Sequence, residues 1–197
     1  MQDITIARSF FDVHLPSHIK PYCDLSSLKI QPTEFVDQSM RRRHVDMLYS
    51  LSIQGRLGYV YPLVEHKSQA DFWTIWDIHT YTVAVMQADL KRQFTQLKQQ
   101  KQPASQARLP IVVPLLFYHG HTSPFPHSID LIDYFYDPVL AKKVWAQPCT
   151  LIDLTVIPDQ DLQNHPQIAF LELLLKHIHC RDLVEYAQVF LEVLRRD

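Results

Sequence analysis

The spacing of apolar and polar positions changes period several times along the chain, and each change predicts an element. Residues 3–14 read as a short opening helix, stopped by Pro16. DLSSLKIQPTEFVD (24–37) reads as a first strand region around residues 28–30, interrupted by Pro32, with 34–36 continuing it. HVDMLYSLSI (44–53) alternates. Val45, Met47, Tyr49, Leu51 and Ile53 take one face; His44, Asp46, Leu48, Ser50 and Ser52 take the other. YVYPLVEHK (59–67) follows a glycine-containing turn, QGRLG, and reads as the second arm of a hairpin. Pro62 conflicts with a central strand, and an edge position or a bulge would accommodate it.

From Ser68 the period lengthens. Phe72, Ile75, Trp76, His79, Val83, Met86, Leu90, Phe94 and Leu97 recur at three and four, which predicts an amphipathic helix over 69–99 with Ser68 as its N-cap. Residues 98–108 form a polar loop, and PIVVPLLFYHG (110–120) suits a short buried strand. HTSPFPHS is a proline-rich loop, and CTLIDLTVI (149–157) reads as another strand. The tail, 166–196, is helical by pattern, as two helices broken near 179–182. The predicted order is α-β-β-β-α-β, then an irregular segment, a strand and helices. That is an α/β chain, divided into a core domain over 1–165 and a helical extension over 166–197.

Composition narrows the classes. A chain of 197 residues, 47% apolar and 20% charged, suits a soluble protein with a sizeable core. The net charge of −2 makes no general nucleic-acid magnet, so contact with DNA would need a local basic patch. Two candidates are the run Arg41, Arg42, Arg43 and the set Lys91, Arg92, Lys98, Lys101; the ordinary reading of both is a solvated face. Three cysteines, Cys23, Cys149 and Cys180, without CxxC spacing argue for a reducing compartment and against zinc or disulfides. No apolar stretch approaches the ~20 residues that span a bilayer. The opening MQDITIARSFF lacks the layout of a signal peptide, so the expected location is cytoplasmic, away from membranes. The three glycines, at 55, 58 and 120, exclude a glycine-rich phosphate cradle.

One stretch carries chemistry. YPLVEHKSQADFW (61–73) ends an apolar strand on Glu65, His66 and Lys67, immediately before a helix. A two-residue turn at Gly55–Arg56 would set Asp46 directly opposite Glu65, with Lys67 on the same face by alternation. A turn centred one residue away would change that register. Directly opposed carboxylates repel, and sharing a face calls for a cation. A hard divalent ion such as Mg²⁺ takes oxygen ligands and retains waters for a phosphate substrate. A neighbouring lysine can orient or deprotonate an attacking water, or offset charge in the transition state. This chemistry is metal-assisted phosphodiester hydrolysis. The structural alternative is a strand-edge aspartate and a solvated strand end.

HVDMLYSL, GYVYPLVEHKS, YTVAVMQ, LPIVVPLLFYHG, SPFPHSIDLIDYFYDP and LIDLTVIPD occur in an order that resembles the Rpn family. These are the recombination-promoting nucleases, also called YhgA-like transposases. HLPSHIKPYCDLSSLKIQPTEFVD fits the same family upstream, and the resemblance runs from about Phe10 to Asp182. It implies a PD-(D/E)xK, restriction-endonuclease-like core: a mixed sheet flanked by helices, dependent on Mg²⁺ or Mn²⁺, cutting DNA. Residue by residue it places the motif aspartate on Asp46, the motif acid on Glu65 and the motif lysine on Lys67. The backbone carbonyl of His66 becomes a further metal ligand. DNA is then the partner, with Arg41, Arg42 and Arg43 as phosphate contacts, and a homodimer is the expected assembly. Family members often carry glutamine where this chain has Lys67. They usually open with a further helix bearing a His-Asp pair and then Phe-Lys, and are commonly longer at the C-terminus. By that comparison this chain is a shortened copy. The competing reading is a catalytically weak, nuclease-derived module for DNA binding or oligomerisation.

The remaining candidates weigh less. His119, His121 and His127 lie in one loop without a cysteine or acid at ligand spacing. Tyr81 stands on the long helix where some nucleases of this superfamily place a tyrosine facing the site; a packed core tyrosine is the simpler reading. Trp73 and Trp76, at i and i+3, read as core before base-stacking groups. Asp153 and Asp159 read as strand-end and turn acids.

Overall fold

The computed structural model describes residues 3–32, 47–65, 70–165 and 168–177. The chain divides into two compact units, Met1–Val139 and Leu140–Asp197.

The first unit is an α/β domain built on a four-stranded mixed sheet with helices on both faces. Helix α1 (Ile4–His14) starts where the Asp3 carboxylate accepts the Thr5 N–H at 2.7 Å, and ends before Pro16 as predicted. Strands β1 (Cys23–Ile30), β2 (Tyr49–Ile53) and β3 (Arg56–Glu65) form an antiparallel meander. Helix α2 (Thr74–Gln99) crosses over to β4 (Val112–Tyr118), which pairs parallel to β3. One core lies between α1 and the sheet, through Ala7, Phe11, Leu28, Tyr49, Leu51, Ile53 and Val60. The other lies between α2 and the sheet, through Tyr59, Tyr61, Leu63, Ile75, Ile78, Tyr81 and Val85. The alternation read from residues 44–53 therefore holds where it is described: Tyr49, Leu51 and Ile53 share the α1 side.

Four expectations are corrected. The hairpin turn is Gln54–Gly55, not Gly55–Arg56. Gln54 and Gly55 both have positive φ, 50° and 74°, as a tight right-twisted hairpin requires. Ile53 pairs with Arg56 and Tyr49 with Val60, where the expected turn would have paired Tyr49 with Pro62. The register is thus displaced by two residues.

Helix α2 begins at Thr74, so Ser68 is not its N-cap. The Asp71 carboxylate accepts the Trp73 N–H at 2.9 Å and the Asp71 carbonyl accepts the Thr74 hydroxyl at 2.7 Å, which closes a turn in place of a further helical one.

The buried face of α2 is also rotated from the apolar pattern. It runs through Thr74, Ile75, Ile78, Tyr81, Ala84, Val85 and Asp89. The inward strand residues are tyrosines, whose hydroxyls need polar partners, so the face that meets them contains polar groups. Trp73 and Trp76 consequently stand about half exposed, at 52% and 47%, and are not core residues.

Residues 149–157 form no strand. Asp153 accepts both the N–H and the hydroxyl of Thr155, at 3.0 and 2.6 Å, and this local turn replaces strand pairing.

Pro62 sits in β3, which has neighbours on both sides. The Tyr59 N–H points to the β4 side, toward the Ile111 carbonyl, so alternation turns the Pro62 nitrogen to the β2 side. The described β2 ladder ends at Val60, and Pro62 interrupts no described hydrogen bond there. β1 starts at Cys23, earlier than the predicted 28–30, and its ladder is irregular between Asp24 and Lys29. There Asp24 binds the Ser26 N–H and hydroxyl.

The second unit contains α4 (Asp159–Leu162) and α5 (Ala169–His177), and α3 (Pro138–Trp145) runs across the boundary between the units. Leu162, Ala169 and Leu173 form a small core with Leu154, Ile157 and Phe170. Asp159 accepts from Lys176 Nζ at 2.7 Å and His177 Nε2 at 2.9 Å; the Lys176 bond holds its carboxyl below the usual range. The predicted continuation at 34–36 and the helix break at 179–182 lie outside the described residues.

Candidate functional site

Glu65 is the last residue of β3, paired across the parallel ladder with Tyr118. Its position has the parity of Tyr59, Tyr61 and Leu63, the residues that pack under α2. Asp46, His66, Lys67 and the run Arg41, Arg42, Arg43 lie outside the described residues. Of the expected acid–acid–lysine set, the structure fixes one backbone position: the end of the strand.

Two tyrosines pack between β3 and α2 below that strand end. Tyr61 is fully buried; its hydroxyl donates to the Ile78 carbonyl at 2.8 Å and lies 2.9 Å from Thr82 Oγ1. Burial pushes its phenol far above the usual range. Tyr81 packs its ring against Tyr61 with centroids 4.8 Å apart and is 8% exposed. It packs in the core between α2 and β3.

Tyr118 begins a chain of ring contacts. Its ring meets Phe125, Phe125 meets His127, His127 meets Phe72, and Phe72 meets Tyr134, with centroids 5.0–5.6 Å apart. The Tyr118 hydroxyl donates to the Thr122 carbonyl at 2.7 Å. His127 Nε2 donates to the Ala70 carbonyl at 3.2 Å. The loop that carries His119, His121 and His127 is thereby tied to the end of β4 and to the segment before α2, by ring packing and two side-chain bonds to backbone carbonyls. Among the described residues no three His, Cys, Asp or Glu side chains stand together as a metal site.

Sequence reasoning missed a polar cluster at the other end of the sheet. Asp89 is 2% exposed and accepts from the Tyr59 hydroxyl at 2.6 Å, from Arg92 and from Gln93. Burial, then the bond to Asp89, raises the Tyr59 phenol far above its usual range. A signal existed: Asp89 stands four residues after Val85 and eight after Tyr81, on the buried seam. An acid there needs donors, and Arg92 and Gln93 supply them at i+3 and i+4.

A family model described as "Putative transposase, YhgA-like" matches residues 1–197. The chain is 39% identical over 178 residues to recombination-promoting nuclease RpnD of Escherichia coli O157:H7, covering 90% of this chain and 64% of that protein. It is 38% identical over 178 residues to recombination-promoting nuclease RpnC of E. coli K12, covering 90% of this chain and 55% of RpnC. It is also 38% identical, over 90% of this chain and 56% of the relative, to the inactive recombination-promoting nuclease-like protein RpnE of E. coli K12. The chain thus spans between about half and two thirds of the length of these relatives. No solved structure matches it. A helix, a three-stranded meander, a crossover helix and a parallel strand, with a whole-length family match and these identities, lead to one conclusion: the chain belongs to the YhgA-like transposase family, which includes recombination-promoting nucleases.

Proposed function

We propose that the chain is a metal-dependent DNA endonuclease of the PD-(D/E)xK type, acting in recombination. The observation that carries the reading is the end of β3: a strand buried on both faces closes on Glu65, in a chain whose relatives are named nucleases. The corrected hairpin replaces direct opposition with a shared face: in the observed register position 63, not 65, is the one that would stand opposite position 46. A displacement of two residues preserves the parity of every position, so alternation still assigns 46 and 65 to one face.

In this reading Asp46 and Glu65, with the backbone carbonyl of His66, hold Mg²⁺ or Mn²⁺. The donors fit: two carboxylates and a carbonyl are hard oxygen ligands, suited to a hard divalent cation. When bound, the cation supplies Lewis-acid polarisation of the scissile phosphate. Lys67 orients the attacking water and offsets charge as it develops on the phosphate. Arg41, Arg42 and Arg43 hold the DNA backbone and fix position without reading sequence.

The test is nicking of supercoiled plasmid by purified protein with Mg²⁺, Mn²⁺ or chelator. Wild type should cleave with either metal, and Asp46→Ala and Glu65→Gln should not, while their unfolding midpoints stay within a few degrees of wild type. Wild-type cleavage by either variant, or cleavage that survives chelation, refutes the assignment. A second reading, a DNA-binding module without cleavage, is favoured by the 38% identity to a relative named inactive. Metal-independent DNA binding without nicking by the wild type would select it.

A further inference from the structure

Arg56 starts β3, nine residues from Glu65, so about 30 Å of strand separates the hairpin from the candidate active site. At the hairpin a cleft of about 710 Å³ opens between the β2–β3 turn, the second half of α2 and the segment entering β4. That size falls within the range of small-ligand sites. Its lining carries three guanidinium groups, from Arg56, Arg92 and Arg108, and one carboxylate, Asp89. The carboxylate is already used: one oxygen accepts from Tyr59 and Arg92, the other from Gln93. The cleft therefore keeps a surplus of positive charge.

Two of the three arginines are held in place. Arg92 is tied to a carboxylate that is itself 2% exposed. The Gln93 carboxamide clamps the Arg108 backbone twice, accepting its N–H at 3.0 Å and donating to its carbonyl at 2.8 Å. Arg108 Nη1 donates to the Ser105 and Ala107 carbonyls, which fixes its guanidinium plane. Arg56 makes no side-chain hydrogen bond or ion pair among the described residues, and none of the cleft's bonds needs it. Leu57 and Ile111 add apolar surface to the lining. Two fixed guanidinium groups and a third with its donors unengaged among the described residues, in a cleft with one neutralised acid, match a tetrahedral dianion or a phosphodiester, which accept several N–H donors at once.

We propose that this cleft is a phosphate-binding site, distinct from the strand end that carries Glu65, and that its ligand is a phosphate presented by a nucleotide or by the DNA backbone. The proposal stands independently of the nuclease reading, because it requires neither metal nor Asp46 and Glu65.

The test is isothermal titration with the full chain in chelator at low salt, using inorganic phosphate, a deoxynucleoside monophosphate and a short DNA duplex as probes. Binding of the mononucleotide, weakened about ten-fold or more in Arg56→Ala, supports a nucleotide site; the figure follows from losing one charge-assisted contact. Binding of the duplex alone, weakened in Arg56→Ala with a salt slope shallower by about one unit, supports a backbone contact. Arg56→Gln is the second variant, should the alanine variant melt earlier than wild type. Failure of all three probes to bind, or wild-type affinity in folded Arg56→Ala and Arg56→Gln, overturns the proposal. Loss of cleavage is read in Asp46→Ala and Glu65→Gln and loss of phosphate binding in Arg56→Ala, so failure of the nuclease reading and failure of the cleft are separable results.

Discussion

Tyr59 and Asp89 join the central strand to the crossover helix through one bond in the core, and the coupling between them can be worked out before it is measured. Both side chains are almost wholly removed from water, at 0% and 2% exposure, and the hydroxyl lies 2.6 Å from the carboxylate. Tyr59→Phe removes one hydrogen bond to a charged acceptor, worth about 1.5–3 kcal/mol. Oδ1 also accepts from Arg92, so the carboxylate keeps a partner and the cost should fall in the lower half of that range. Asp89→Ala is harsher. It removes the carboxylate acceptor of the Tyr59 hydroxyl, while Arg92, 42% exposed, stays solvated, for about 3 kcal/mol. In the double variant the hydroxyl that lost its carboxylate is absent, so it should cost less than the sum of the singles by about 1–3 kcal/mol. The assay is urea unfolding followed by tryptophan fluorescence in a Trp145→Phe background. Trp73 and Trp76 then report the first unit alone, which avoids fitting two units with one transition. With a slope of about 2 kcal/mol/M, Tyr59→Phe should lower the midpoint by about 1 M. Singles that add within about 0.5 kcal/mol would refute the coupling, and with it the account of why an acid is buried on α2.

Two further outcomes follow from the same packing. Gly58→Ala should destabilise by about 1–3 kcal/mol, because a Cβ there would meet Ile53 Cδ1 at 2.5 Å and the Ile111 carbonyl at 3.0 Å; an unfolding midpoint equal to wild type would count against this close approach of β3 and its neighbours. The first unit should lose stability steeply above about pH 10. Tyr59 and Tyr61 hold their protons when folded and release them when unfolded, so between the unfolded and folded pKa values each removes about 1.4 kcal/mol per pH unit; Tyr61→Phe should flatten that loss in unfolding midpoints taken from pH 9 to 11.

The order of elements in the first unit was legible because each segment has one dominant period and a marked end. Pro16 stops α1, a glycine-bearing turn divides β2 from β3, and the polar loop after residue 98 separates α2 from β4. The face of α2 was not legible from hydrophobicity. The sheet offers it two tyrosine hydroxyls, so the helix meets them with Thr82 and a buried Asp89, while Phe72, Trp73, Trp76 and Phe94 are left about half exposed. Apolar spacing locates a helix's buried face only when its partner surface is apolar. CTLIDLTVI failed for a related reason: alternation is necessary for a strand, but an aspartate two residues before a threonine offers the backbone a turn that competes with pairing.

The two ends of β3 differ in how far sequence alone can reach. Glu65 could be singled out because a charged residue closing an apolar strand is anomalous within a single segment, whatever the rest of the fold does. The hairpin cleft could not. Its arginines come from β3, from α2 and from the loop before β4, and nothing in the spacing of 56, 92 and 108 brings them together. What brings them together is the Asp89 and Gln93 network, which binds Tyr59 of the strand, Arg92 of the helix and the Arg108 backbone of the loop into one cluster. A network that costs desolvation to bury, and that holds one guanidinium group and the backbone of a second arginine at the rim of an open cleft, does more than a Leu at position 89 would need to do for stability alone. That difference between the least expensive packing and the observed one is the physical reason to look for an anion there.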